Sequence, residues 1–252
     1  MSAATLGILG GTFDPIHRGH VAVALAAHQA LGLEKVLLVP TRTPPHRTRP
    51  PQASIYHRFA MTALAALSVE GLEVSDLELD TPGPSYTSAL LERLHQQGLR
   101  ASQIVFIIGA DAFAEIATWH NYPAILDRCH FAVISRPGLQ ADELRARLPA
   151  LASRFVLTTA VAAAVDSQTH ASSSAASTSS AQTAAIETQP PSVFLIDVAT
   201  PDVSATDIRE RRQAGLSIEG LVPEAVEGYI RQHALYAGAV STAGHLHEHT
   251  AQ

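Results

Sequence analysis

Five short apolar runs constrain the fold of this 252-residue chain more than any other feature: TLGIL (5–9), KVLLVP (35–40), IVFIIG (104–109), HFAVIS (130–135) and SVFLIDV (192–198). Each is continuously apolar rather than alternating. That is the pattern of strands in a parallel sheet covered on both faces. Between the runs lie stretches of helical character at 18–31, 54–67, 86–97, 111–116 and 141–147. Strand and helix in alternation predict an α/β fold with a doubly wound, mainly parallel sheet and helices on both faces. Two further helices are expected at the C-terminal end. SATDIRERRQAG (204–215) opens on a Ser cap and stops at a Gly, and PEAVEGYIRQHALY (223–236) opens on a Pro in its first turn.

Hydrophobic residues make up 46% of the chain, enough to bury a full core, except in one segment. From Thr158 to Pro191 the composition collapses to Ala, Ser, Thr and Gln, with no aromatic residue and little charge. Such a stretch cannot bury enough apolar surface to offset its ordering entropy. The expected organisation is one domain over 1–236, a disordered insertion at 159–191 and a flexible tail at 237–252. The tail carries three histidines in GHLHEH but matches no zinc signature. A net charge of −6 argues against nucleic acid as the main partner, while leaving room for a local basic pocket. Cys129 is the single cysteine, so no internal disulfide forms, and a reducing cytoplasm fits. The first residues lack the basic region and long apolar core expected of a signal peptide, and no run reaches the ~18 apolar residues of a membrane helix.

The chemistry is concentrated in LGGTFDPIHRGH (9–20), between the first strand and the first helix. In an open parallel sheet, ligands bind where strand carboxyl ends meet helix N-termini. Gly10 and Gly11 let backbone N–H groups approach a ligand, and the helix end that follows favours anions. His17 and His20, at i and i+3, share the face of the first turn. Two imidazoles beside a positive helix end make a phosphate site, where a His donates to an oxygen whose charge grows in the transition state. A P-loop would need GxxxxGK[ST], and a dinucleotide fingerprint would need GxGxxG; neither spacing is present. HxxH alone is weak evidence for zinc. On spacing alone, a glycine turn with two surface histidines stays open as the alternative.

GGTFDPIHRGH resembles the signature of the HxGH nucleotidyltransferase superfamily, which moves nucleotidyl groups from a nucleoside triphosphate to a phosphate on a Rossmann-like sheet. Six further strings follow in order: PTRTPPHR (40–47), YHRFAM (56–61), GPSYTSALL (83–91), FIIGADAFAEIATWH (106–120), ISRPG (134–138) and VSATDIR (203–209). Together they are similar to those of the bacterial nicotinate-nucleotide adenylyltransferases. Two positions depart from the pattern. Arg47 stands where Lys is usual, a planar fork for a point charge, and Ala205 replaces a second Ser.

The resemblance implies adenylyl transfer from ATP to nicotinate mononucleotide, giving deamido-NAD and pyrophosphate. Mg²⁺ would come with the ATP phosphates, with no protein side chain as metal ligand. His17, His20, Arg47 and Arg209 are the implied catalytic residues, with His20 at the transition-state oxygen. Gly10, Gly11, Thr12, Phe13, Gly109, Asp111, Ser135, Arg136, Ser204 and Thr206 are implied to bind ATP. Thr87, Trp119 and His120 are implied to hold the mononucleotide, with the indole stacking on its pyridine ring. Asp14 reads as a loop-shaping residue. The implied partners are the two small molecules, with neither nucleic acid nor membrane, and homo-oligomerisation is left open.

Overall fold

The structure is a computed structural model that describes residues 5–45, 49–135, 141–158, 186 and 189–238. Within them, seven parallel strands form one sheet in the order β3-β2-β1-β4-β5-β7-β6. The strands are β1 (Leu6–Gly11), β2 (Lys35–Pro40), β3 (Leu72–Val74), β4 (Ile104–Gly109), β5 (His130–Ile134), β6 (Phe155–Thr158) and β7 (Val193–Ile196). The helices are α1 (Arg18–Leu31), α2 (Ile55–Leu67), α3 (Thr87–Gln96), α4 (Ala110–Ala114), α5 (Ala141–Arg147), α6 (Ala205–Gln213) and α7 (Glu224–Gln232). This is the doubly wound, Rossmann-like α/β fold expected from the sequence.

The strand runs are continuously apolar because alternate residues feed two cores. Leu9, Val36, Leu38, Val105 and Ile107 pack on one side of the sheet with α1, α2, α6 and α7. Ile8, Val39, Phe106, Ile108 and Phe131 pack on the other with α3 and α4. The winding reverses between β1 and β4, which pair in register from Leu6–Ile104 to Leu9–Ile107. A crevice opens at such a reversal, at the carboxyl ends of the strands. The sheet dictates where a ligand can enter.

Helix ends follow the sequence closely. The Ser54 and Ser204 hydroxyls accept from the N–H groups of His57 and Asp207, at 3.3 and 3.1 Å. Gly32, with φ 58°, ends α1 in the left-handed conformation. The last helix is shorter than expected. It stops at Gln232, and Ala234 and Tyr236, with φ of 48° and 60°, turn the chain back onto the domain. Two strands escaped the sequence reading, β3 and β6, and they are the two edges of the sheet. They are three and four residues long; β3 carries the exposed Glu73, and β6 turns Leu157, 59% exposed, to the surface. Short, partly polar edges are how sheets avoid pairing with other chains.

Most of segment 159–191, and the tail beyond Gly238, lie outside the described residues. Ile186, within that segment, is buried in the core, and its carbonyl accepts from the Gln189 N–H at 3.1 Å.

The core holds a titratable histidine. His130 is fully buried on β5, and the Ser192 N–H donates to its Nδ1 at 3.1 Å. Burial pushes its pKa down to about 4 from the usual 6.5. A depressed value stabilises the fold above the unfolded pKa, and that contribution is lost as the pH falls from 6.5 toward 4. Urea unfolding of wild type between about pH 7 and pH 4 is therefore expected to lose on the order of 3 kcal/mol more than unfolding of His130→Gln. Equal losses would show that His130 does not drive the acid sensitivity.

Candidate active site

The loop after β1 makes one wall of the crevice. Phe13 sits in the left-handed region at φ 48° with its side chain 1% exposed. Such a conformation costs a non-glycine residue about 1–2 kcal/mol, here held by burial of the ring. The two glycines before it do different work. A Cβ on Gly11 would lie 2.5 Å from the Phe13 ring, so Gly11 is required by the fold. A Cβ on Gly10 would meet nothing closer than the Phe106 ring at 3.6 Å. Gly10 borders the cleft, and the space above it is open to a ligand.

His17 is the N-cap of α1, and His20 is its third residue. The His17 N–H donates to His20 Nδ1 at 3.3 Å. An imidazole nitrogen that accepts carries no proton, so the neutral His20 ring holds its proton on Nε2. The His20 ring packs against the His17 ring at a centroid distance of 3.8 Å and edge-on to Phe13 at 5.0 Å. His20 lines the cleft, whereas His17, 5% exposed, lies behind it. Gly19 lets them approach: a Cβ there would be 3.1 Å from the His17 ring and 3.3 Å from the Pro201 carbonyl oxygen.

Asp14 ties this loop to distant parts of the chain. Its carboxylate is buried and accepts from the N–H groups of Gln52 and Ala53 at 2.8 and 3.0 Å, and from the Tyr236 hydroxyl at 2.8 Å. Burial, and then the Asp14 charge, hold the Tyr236 phenol far above its ordinary pKa. Arg58, fully buried on α2, donates to the carbonyls of Ala53, Thr12, Thr41 and Arg42 at 3.2, 2.6, 2.7 and 3.3 Å. Arg209 Nη1 reaches the Asp14 carbonyl at 2.6 Å, and Nη2 donates to Thr206 Oγ1 at 3.0 Å.

The opposite wall comes from the segments before and within α3 and after α4. Thr87 opens α3, Trp119 meets Phe106 edge-on with centroids 6.2 Å apart, and His120 stacks on Tyr86 at 4.4 Å. Ser88 Oγ lies 2.9 Å from His120 Nδ1 and fixes that ring. The loop after β2 is laced to this wall. The Thr43 N–H donates to Ser85 Oγ at 3.1 Å, and the Ser85 N–H donates to the Thr43 carbonyl at 2.9 Å. Together these parts enclose a cleft of about 410 Å³, the size of a small-molecule site. His20, Gly10, Gly11 and Thr12 stand in its lining together with Gly109, Thr87, Trp119 and His120.

Other residues singled out in the sequence fall elsewhere. Ser135 does not line the cleft: its buried hydroxyl bonds to Asp197 Oδ1 at 2.5 Å and to the Ile196 carbonyl at 3.3 Å, tying β5 to β7. Phe13 supports the loop from below, with its ring in the core. Asp111 is exposed in the first turn of α4, outside the cleft lining. Ser204 and Thr206, both exposed, spend their hydroxyls on the α6 cap and on Arg209. Arg47 and Arg136 lie outside the described residues.

A family model for cytidylyltransferase-like proteins matches residues 8–211. The probable nicotinate-nucleotide adenylyltransferase of Roseiflexus sp. (strain RS-1) is 38% identical over 236 residues, covering 94% of this chain and all of the relative. The chain belongs to the nicotinate-nucleotide adenylyltransferase family. A second relative of the same description, from Desulfatibacillum aliphaticivorans, is 38% identical over 92% of this chain and 99% of its own. The fold is shared more widely. A Plasmodium falciparum nicotinic acid mononucleotide adenylyltransferase, solved in complex with NaAD, superposes with a TM-score of 0.63 at 17% identity, covering 93% and 98% of the two chains. GGTFDPIHRGH, PTRTPPHR, GPSYTSALL and FIIGADAFAEIATWH each contribute residues to the one cleft, although they lie far apart in the sequence.

The sequence understated three residues. Arg58 stood in YHRFAM as part of a pattern and proves to be the largest fully buried side chain, organising two loops. Asp14 shapes its loop, as expected, but also reaches the C-terminal Tyr236. Glu78, on the cleft wall, had no signal in the sequence. The two glycines yield a direct test. Gly11→Ala is expected to lose about 1–3 kcal/mol of stability through overpacking against Phe13, while Gly10→Ala stays within about 0.5 kcal/mol of wild type. Thermal unfolding checks both, and equal losses would contradict the assignment of Gly11 alone to the fold.

Proposed function

We propose that this chain transfers the adenylyl group of ATP to nicotinate mononucleotide, releasing deamido-NAD and pyrophosphate. The observation that carries the reading is the cleft itself. Its lining combines an imidazole in the first turn of α1 with an indole and the start of α3, which suits a phosphate site beside a flat aromatic site. The names of the two relatives support the same acceptor.

In this reading an oxygen of the mononucleotide phosphate attacks the α-phosphorus of ATP. The bond from that phosphorus to the bridging oxygen breaks, and pyrophosphate leaves with the electron pair. The attacking oxygen is already ionised at neutral pH, so no general base is needed, and catalysis is positioning plus charge stabilisation. His20 donates from Nε2 to the α-phosphoryl oxygen whose charge develops. His17 holds the His20 tautomer through its backbone N–H and keeps the ring upright. Gly10, Gly11 and Thr12 present backbone groups to the triphosphate, and Gly109 borders the nucleotide. Arg209 is fixed against the Asp14 carbonyl, within reach of the same loop. Arg47, Arg136, Ser204 and Thr206 are proposed to complete the ATP side. Mg²⁺ is proposed to enter on the ATP phosphates. Among the described residues no group of three or more His, Cys, Asp or Glu stands together to hold a metal.

Trp119 stacks on the pyridine ring, and Thr87 and His120 flank its carboxylate. A carboxylate accepts and cannot donate, so N–H donors at the start of α3 favour it. A carboxamide would turn its own N–H₂ toward them, at ~1–3 kcal/mol per unpaired group. Two measurements test the reading. Incubation with Mg-ATP and a panel of acceptor phosphates should give deamido-NAD, with kcat/KM for nicotinate mononucleotide above that for the nicotinamide form. Equal values or an amide preference would overturn the acceptor assignment. His20→Ala should lower kcat by at least ~10²-fold, whereas near-normal turnover would remove His20 from the mechanism.

A further inference from the structure

Glu78 is a charged residue buried in the cleft wall, in the segment between β3 and α3. Its side chain is 4% exposed, and Oε1 accepts from Arg93 Nη2 at 2.9 Å. Oε2 is buried and has no hydrogen-bond partner among the described residues. Glu78 lines the cleft with Thr41, Pro44, Pro45 and Leu90, on the wall where the loop after β2 meets α3. That wall is held rigidly. Arg42 Nη1 donates to the Leu79 carbonyl, Thr81 Oγ1 donates to the Leu77 carbonyl at 3.0 Å, and Leu77 N–H donates to Ser75 Oγ at 3.3 Å.

An ionised carboxylate offers only acceptors. A buried one with a free oxygen is costly unless a donor arrives. Resting on the function proposed above, the mononucleotide acceptor offers this oxygen one class of donor. The carboxylate and the phosphate of nicotinate mononucleotide are themselves acceptors, and its pyridine ring presents no N–H or O–H. Its ribose hydroxyls are its only hydrogen-bond donors. With the pyridine at Trp119 and the phosphate toward His20, the ribose lies between the two ends of the cleft. Arg93 neutralises Glu78, so a second anion in the site does not repel the acceptor.

We infer that Glu78 is a substrate-positioning residue whose Oε2 accepts a hydrogen bond from a ribose hydroxyl of the mononucleotide acceptor. The pair sets the angle at which the acceptor phosphate meets the α-phosphorus. A ribose also occurs in ATP, so the two sources must be separated by experiment.

The test is a cycle between protein and substrate. Steady-state kcat/KM is measured with wild type and Glu78→Gln for nicotinate mononucleotide and its 2′-deoxy and 3′-deoxy forms, and with ATP replaced by 2′-deoxy- and 3′-deoxy-ATP. Gln keeps an oxygen for Arg93 and turns an N–H₂ toward the hydroxyl. The expected loss in Glu78→Gln is ten- to a hundredfold with the ribose acceptor, the scale of one charge-assisted hydrogen bond. One deoxy acceptor should already be slow with wild type and lose no more in the variant. The deoxy-ATP arms should retain the full loss. Losses equal across every acceptor would mean that Glu78 only supports the wall, and a loss cancelled by a deoxy-ATP would move the contact to the nucleotide. Either result, or no loss at all, overturns the inference. Glu78→Met/Arg93→Met, which removes both charges together, repeats the cycle should Glu78→Gln fold poorly. Absence of any turnover of nicotinate mononucleotide by wild type would instead defeat the function on which the inference rests.

Discussion

The Asp14 carboxylate is buried in a domain whose ligand loop has no regular structure of its own, and the site depends on how that charge is satisfied. It accepts two backbone N–H groups from residues 52 and 53 and a phenol from residue 236, and its own carbonyl receives Arg209. Ala53 is shared, because its carbonyl accepts from Arg58, which also grips the loops after β1 and β2. Removing a buried charge from water costs several kcal/mol and is repaid only with full hydrogen bonding. Each bond to a charged group contributes about 1.5–3 kcal/mol. Separate segments of the chain are thereby forced into one geometry. Phe13, held by burial of its own ring, directly precedes this anchor in the loop that leads into α1.

From that knot the rest follows. The sheet reverses its winding between β1 and β4, so the crevice lies above the carboxyl ends of both. Gly11 admits the Phe13 ring beneath the loop, and Gly19 admits His17 behind His20. The imidazole at the front has its tautomer set by a backbone N–H and its plane set by two neighbouring rings. None of these features requires a moving part. They suit a reaction whose nucleophile is already ionised and whose barrier falls through alignment and placed donors.

The sequence revealed the central strands and most helix ends because these carry strong local signals: long apolar runs, Ser caps, a Gly stop. It did not reveal β3 and β6, where three or four residues at a sheet edge leave no period to read. Part of the cleft lining was legible as motifs, and His20, Thr87, Trp119 and His120 do meet there. The hydroxyls of Ser135 and Thr206 were not legible. Whether a hydroxyl faces a ligand or a neighbouring carboxylate or guanidinium depends on side-chain direction, which spacing does not encode. Asp14 and Tyr236 are 222 residues apart, and only the folded chain brings them together.

If one buried carboxylate sets both the fold of the loop and the order of the site, Asp14→Asn must damage both at once. The direct measurement is calorimetric titration of Mg-ATP into wild type and Asp14→Asn, beside their urea unfolding curves. An amide keeps the size of the side chain but turns a donor toward the N–H groups of Gln52 or Ala53. The expected result is a loss of about 2–4 kcal/mol in stability together with at least about a tenfold loss in Mg-ATP affinity, with far-ultraviolet circular dichroism unchanged. A variant that is destabilised to this extent yet binds Mg-ATP as tightly as wild type would contradict the account, and would separate the anchor of the loop from the assembly of the site.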